Sequence, residues 1–215
     1  YICYSIYRFS RCEVYTMTIG KRIAAIRSFR GITQAELGLK LEFTATSAGT
    51  RVAQYETGYR VPKEEMSERI SEILDVSPFN FYTFDGLSEI PLIIDFFWME
   101  EFSPDTFRLL SLYKDKKIKE SASDSLISLY HASDADLPDS TYGVYIGIGD
   151  TNTYLAEWAK MKSRLTNDEI SRDEYFEWKL QFPYSSPFYQ NAHGMEVDDE
   201  DNFFKNPPKW RKSSK

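Results

Sequence analysis

Cysteine is nearly missing from this chain: Cys3 and Cys12 are the only two in 215 residues, and both fall within the first sixteen positions. That excludes a disulfide-stapled scaffold and suits a reducing compartment, so a cytoplasmic location is expected. Histidine is as scarce. His131 and His193 stand alone, with no cysteine or carboxylate at ligand spacing, so no metal site is expected. Long apolar runs are lacking too. The longest, Ile90 to Met99, is interrupted by Asp95 and is too short to cross a bilayer, so no membrane association is expected. The chain has no Gly-rich phosphate loop, no His-Glu-x-x-His pair and no Gly-x-Ser-x-Gly elbow. Neither catalytic residues nor a cofactor are therefore expected, and the chain does not read as an enzyme.

At 42% hydrophobic and 27% charged, the chain has the composition of a folded globular protein. The net charge is −7, but it is spread unevenly. Residues 17–63 hold eight Lys/Arg (Lys21, Arg22, Arg27, Arg30, Lys40, Arg51, Arg60, Lys63) against three acids (Glu36, Glu42, Glu56), a net of +5. Residues 64–86 carry a net of −5, and the chain after 86 a net of −8. Positive charge is thus gathered in one early segment, the footprint of a polyanion-binding surface attached to an acidic body. The first methionine is Met17, and helical periodicity begins only after it. Residues 1–16 are expected to be an upstream extension with no part in the fold.

Apolar spacing predicts five helices in residues 17–86. Ile19, Ile23, Ile26 and Phe29 form one stripe, closed by Gly31 where a helix end favours a positive φ. Thr33-x-x-Glu36 is a capping box that opens a second helix bearing Leu37 and Leu41. A short third helix runs from Thr50 to Glu56 and ends at Gly58; the fourth carries Met66, Ile70, Ile73 and Leu74. Ser77-Pro78 opens a brief fifth, with Phe81 and Tyr82.

The succession Ile19-Gly20-Lys21-Arg22-Ile23, Thr33-Gln34-Ala35-Glu36-Leu37, Val52-Ala53-Gln54-Tyr55-Glu56-Thr57-Gly58, then Arg60 and Pro62, resembles the Cro/phage-repressor-type (XRE) helix-turn-helix family over residues 17–86. The resemblance implies a DNA-binding domain whose third helix enters the major groove. It implies a phosphate contact for Gln34 at a helix N-terminus, base contacts for Thr50, Arg51 and Gln54, and a flanking phosphate contact for Arg60. Val52 and Tyr55 would belong to the core, and Glu56 to an internal pairing. One departure is the stretch from Leu41 to Tyr55, longer than is usual in that family. Either the turn is longer or the recognition helix starts earlier, and Gly49 falls near a position that commonly reads bases.

Residues 87–182 are expected to form a small α+β region that dimerises or senses a signal. A linking helix at 87–102 carries Ile90, Ile94, Phe97 and Trp98. Runs at 107–113, 125–130 and 142–148 read as strands of a small antiparallel sheet. Two helices follow as a hairpin, one with Tyr154, Leu155, Trp158, Met161 and Leu165, the other opened by a Ser171-x-x-Glu174 capping box and carrying Tyr175, Trp178 and Phe182. Their aromatic stripe reads as core packing and not as a ligand pocket. Residues 183–215, with the acidic run 196–201 and the basic Lys209 to Lys212, read as a flexible tail.

The expected function is a repressor-like, sequence-specific transcriptional regulator. Its partners would be double-stranded DNA and a second copy of the chain, with room for a protein or small-molecule effector at the C-terminal region. The alternative is a protein-interaction module, such as an antitoxin or co-regulator, that uses the same helices to hold a protein partner.

Overall fold

The computed structural model describes residues 18–103 and 147–196, together with the backbone of 112–114 and 130–132. The expectations for residues 1–16, for most of the three strand runs and for the chain after Glu196 lie outside the described residues. The first four helices are α1 (Ile19–Phe29), α2 (Gln34–Lys40), α3 (Ala48–Glu56) and α4 (Glu64–Leu74). The expected fifth helix is a single 3-10 turn, Pro78–Phe81. Then come α5 (Glu89–Phe102), β1 (Leu112–Lys114), β2 (Tyr130–Ala132), α6 (Thr151–Thr166), α7 (Arg172–Gln181) and α8 (Pro187–Ala192).

Local chemistry starts these helices where the residue pattern places them. Thr33 Oγ1 accepts from the Glu36 N–H at 3.2 Å while the Glu36 carboxylate accepts from the Thr33 N–H at 2.7 Å. Ser171 and Glu174 repeat the arrangement at α7. These bonds, from the backbone first and the hydroxyl second, hold both Glu36 and Glu174 below the ordinary carboxylate range. The helix ends share a different device. A residue at positive φ lets two successive N–H groups turn back on the last carbonyls, as at Gly31, where Gly31 N–H reaches Ser28 O and Ile32 N–H reaches Arg27 O. The same pair of bonds closes α2 at Glu42 (φ 63°), α4 at Asp75 (φ 52°) and α6 at Asp168 (φ 57°), none of them glycine.

Glycine is required instead where helices touch. A Cβ on Gly20 would lie 2.2 Å from the Tyr55 carbonyl oxygen, and one on Gly38 would lie 2.5 Å from that of Ala48. Backbone of α1 therefore rests on the end of α3, and backbone of α2 on its start.

One hydrophobic core joins the early and late helices. Ile23, Ile26, Leu37, Val52, Ile70 and Leu74 are fully buried, and they are continuous with Ile93, Ile94, Phe97, Trp158, Trp178 and Phe182. Far from being a mere link, α5 is apolar around most of its girth and lies at the centre of this core, as such a helix must. Phe97 packs edge-on to Trp158 at 5.1 Å and to Phe182 at 5.2 Å. The aromatic stripes of α6 and α7 form core, as their spacing suggests.

Two expectations for the C-terminal half are overturned. The α+β region is not supported: the described body after residue 86 is helical. The one ladder among the described residues is a three-residue antiparallel pairing of Leu112 with Ala132, Tyr113 with His131 and Lys114 with Tyr130. Two strands of that length cannot form a sheet layer with a buried face. The other correction concerns the tail, which does not begin at residue 183. Ser186 caps α8 through the Tyr189 N–H at 3.1 Å, Ser185 Oγ donates to Trp178 O at 2.8 Å, and the Phe188 ring packs on Tyr154 at 5.4 Å. A Ser-Ser-Pro sequence that reads as linker composition is here a buried helix cap.

Charge is buried between α5, α6 and α7. Lys179 is 2% exposed and donates to Glu100 and, at 2.7 Å, to Glu101. Lys162 reaches Glu100 at 2.7 Å, and a relay runs from Trp158 Nε1 to the Tyr175 hydroxyl (2.6 Å) and on to Glu100 (2.8 Å). Burial alone would raise the Glu100 carboxyl, but the Lys179 charge and bonds from Lys162, Lys179 and Tyr175 bring it below its ordinary value.

Two predictions follow from this packing. Helix propensity alone says that Gly20→Ala should stabilise α1 by about 1 kcal/mol. The Tyr55 carbonyl reverses the sign, and urea unfolding should show a loss of about 2 kcal/mol. The second concerns acid. The fold holds Glu100 deprotonated more strongly than the unfolded chain does, so its contribution is complete above the ordinary glutamate range and is lost as pH falls below that range, through the lower value Glu100 has in the fold. Glu100→Gln should cost about 3 kcal/mol at pH 7, leaving Lys179 poorly paired, and should flatten the acid limb of a stability-against-pH curve.

Candidate nucleic-acid interface

The candidate surface is built on α3 and the N-terminus of α2. The polar stretch before α3 forms a turn in which the Ser47 and Ala48 N–H groups both reach Thr44 O at 2.9 Å, and the helix begins at Ala48. The helix thus starts two residues earlier than Thr50. That settles how the long stretch is accommodated: part of it is turn and part is helix. Gly49 sits in the first turn of α3, where an added Cβ would lie 3.8 Å from Ala35 of α2, an ordinary contact distance.

Val52 is fully buried and Tyr55 packs against the core from a half-buried position, so the opposite side of α3 faces out. Thr50 and Arg51 are exposed and Gln54 is half-buried. The guanidinium carbon of Arg51 lies 4.4 Å from the centre of the Phe43 ring. Arg60 is exposed, and its backbone N–H ties the following loop to Gln54 O at 2.9 Å. Beside it, a groove of about 430 Å³ is lined by Tyr55, Arg60, Val61, Lys63, Glu65, Met66 and Arg69. All five predicted residues therefore lie on α2, α3 or the loop after α3.

Gln34 is placed differently from a simple surface residue. Its side-chain amide donates to Glu56 Oε2 at 2.7 Å. Glu56 in turn holds Arg27 through Nε (2.6 Å) and Nη2 (3.2 Å), and Arg27 Nη1 donates to Ile32 O at 2.8 Å. The internal partner of Glu56 is thus an arginine of α1 together with Gln34. The network locks α1, α2 and α3 together. The Glu56 bond uses one amide proton of Gln34 and fixes the position of its side chain.

Charge on this flank is smaller than the residue count implies. Arg22, only 2% exposed, pairs with Asp95 and donates to Asn80 O at 3.1 Å. Arg30 forks onto Glu177 at 2.5 and 3.1 Å and also donates to the Leu74 and Asp75 carbonyls at the end of α4. With Arg27 spent on Glu56, three of the eight cations have internal acidic partners. The sequence could not show this, because two of these partners lie far along the chain. Setting these three arginines and Glu56 aside reduces the net formal charge of residues 17–63 from +5 to +3.

No protein-family model, curated protein or solved structure matches the chain. No described helix is long and apolar enough to cross a membrane.

The Arg27–Glu56 link makes a measurable prediction. Arg27→Ala and Glu56→Ala should each destabilise by about 2 kcal/mol in urea, and the double variant by much less than the two together. Additive losses would show that the pair is not the tie between α1 and α3.

Proposed function

We propose that this protein is a sequence-specific DNA-binding regulator of the helix-turn-helix kind, with α3 as the helix that enters the major groove. The observation that carries the reading is the exposed face of α3. It presents the exposed Thr50 and Arg51 and the half-buried Gln54, beside the N-terminus of α2 and its Gln34. These side chains suit the task. An arginine pairs bidentately with guanine and a glutamine with adenine, while N–H groups at the start of α2 and the charge of Arg60 suit phosphates. The later helices pack against α1, the 3-10 turn and the end of α4, through Asp95, Glu177 and Leu180, so they leave this face uncovered. A single copy offers one such helix and reads about one half-site, so a two-fold pair of chains is part of the proposal.

The same flank also exposes Leu39 (51%), Tyr59 (77%) and Val61 (73%), which supports the competing reading as a protein-docking module. Exposed apolar residues in small numbers are normal on a surface, so they do not by themselves decide for it.

Selection from a randomised duplex library, followed by anisotropy titrations across a salt series, tests the proposal. The wild-type chain should enrich a defined sequence and lose affinity with salt at a log–log slope of roughly −0.9 per phosphate contact. Gln54→Ala should relax preference at one adenine-containing pair by roughly tenfold. A correctly folded chain that binds no duplex at about 50 mM salt, where such contacts are strong, overturns it. A partner protein that stays bound after nuclease treatment and occupies α3 would favour the docking module.

A further inference from the structure

The α2–α3 turn does more than join two helices. Its path is set by Glu42 at φ 63°, which lets the Glu42 N–H reach Leu39 O at 2.9 Å and the Phe43 N–H reach Gly38 O at 3.0 Å. This closure fixes Phe43 directly beyond the end of α2, half-buried and packed against the hydrophobic core. Arg51 leaves the first turn of α3 and lays its guanidinium on the Phe43 ring, 4.4 Å from the centroid. A long side chain on an exposed helix face ordinarily samples many rotamers, and ordering it opposes binding. Here a rigid aromatic platform, itself held by the core, restricts that freedom before any ligand arrives. A guanidinium that stacks on an aromatic ring does so through its plane, which keeps the N–H edge available to fork onto an acceptor pair.

We propose that Phe43 is a positioning residue that preorganises Arg51 to read one guanine, making the turn residue a determinant of sequence specificity. The inference rests on the DNA-binding reading above and goes beyond it by assigning Arg51 its base and Phe43 its role. A lysine at position 51 would keep the charge but lose both the planar stack and the fork.

The probes are the duplex that the wild-type chain selects, its single-base-pair variants and a random-sequence duplex. Arg51→Ala and Arg51→Lys should each reduce discrimination at one G·C pair by roughly tenfold or more. Phe43→Leu should reproduce a large part of that loss, with affinity for random-sequence duplex unchanged, because a phosphate contact does not need an aligned fork. Phe43→Tyr keeps a ring face and should retain discrimination. If Phe43→Leu lowers the melting temperature appreciably, Phe43→Met removes the ring at nearly constant volume. In the free protein, the Arg51 δ protons should show an upfield ring-current shift that disappears in Phe43→Leu.

A loss of affinity equal for all duplexes, or discrimination indifferent to the ring, overturns this inference and leaves the DNA-binding reading standing. An unshifted Arg51 in the wild-type spectrum overturns it as well. Failure of the wild-type chain to enrich any duplex removes both.

Discussion

The structure depends on α1 and the Arg30 that caps it acting as a strut with three arginines, each pinned by an acid from a different part of the chain. Arg22 pairs with Asp95 of α5, Arg27 with Glu56 of α3, and Arg30 with Glu177 of α7. Successive arginines are five and three residues apart, so they leave the helix in different directions while Ile23 and Ile26 fill the core between them. Net stability from such partly desolvated pairs is modest, because desolvation offsets much of the attraction. Their effect is on geometry. Each guanidinium also satisfies backbone carbonyls: Asn80 O for Arg22, Ile32 O for Arg27, Leu74 O and Asp75 O for Arg30. A shift of α1 would break ion pairs and orphan carbonyls at three places together.

That arrangement explains why the early and late helices share one core. The Ser77 N–H and the Asn80 amide both donate to Leu180 O, and the Gln181 amide donates to Asp75 O. The 3-10 turn and the end of α4 are therefore tied to the end of α7 by backbone as well as by side chains. Phe29 and Phe176, edge to face at 4.9 Å, close the same seam. The C-terminal helices thus pack on α1, which in turn holds α3 through Arg27 and Glu56.

Signals that act over one helical turn were legible in the sequence. The capping boxes at Thr33 and Ser171, the positive φ at Gly31 and the buried stripes of α1, α4, α6 and α7 all follow from spacings of three or four residues. What stayed hidden has a common cause: it depends on distance or on an atypical residue. Glu42, Asp75 and Asp168 end helices in the left-handed region without glycine to mark them. The destinations of Arg22 and Arg30 lie 73 and 147 residues away. The five candidate contact residues could be named because local motifs place them, whereas Phe43 could not, since its role arises only when the turn folds it beneath Arg51.

Internal pairing also changes the electrostatic argument on both sides. The three pinned arginines neutralise Asp95, Glu56 and Glu177, while Glu100 and Glu101 are matched by Lys162, Lys179 and Arg172. The basic excess of residues 17–63 and the acidic excess of the body therefore both shrink once these pairs are set aside. On the proposed DNA-binding reading, a reduced basic excess means fewer phosphate contacts per chain, and affinity from counterion release grows with that number. A single copy would accordingly bind weakly and with a shallow salt dependence. Two copies on adjacent half-sites would double the number of contacts, so a regulator built this way depends on pairing more than a strongly basic one does. The burden of selectivity then shifts from charge to the orientation of a few side chains on α3.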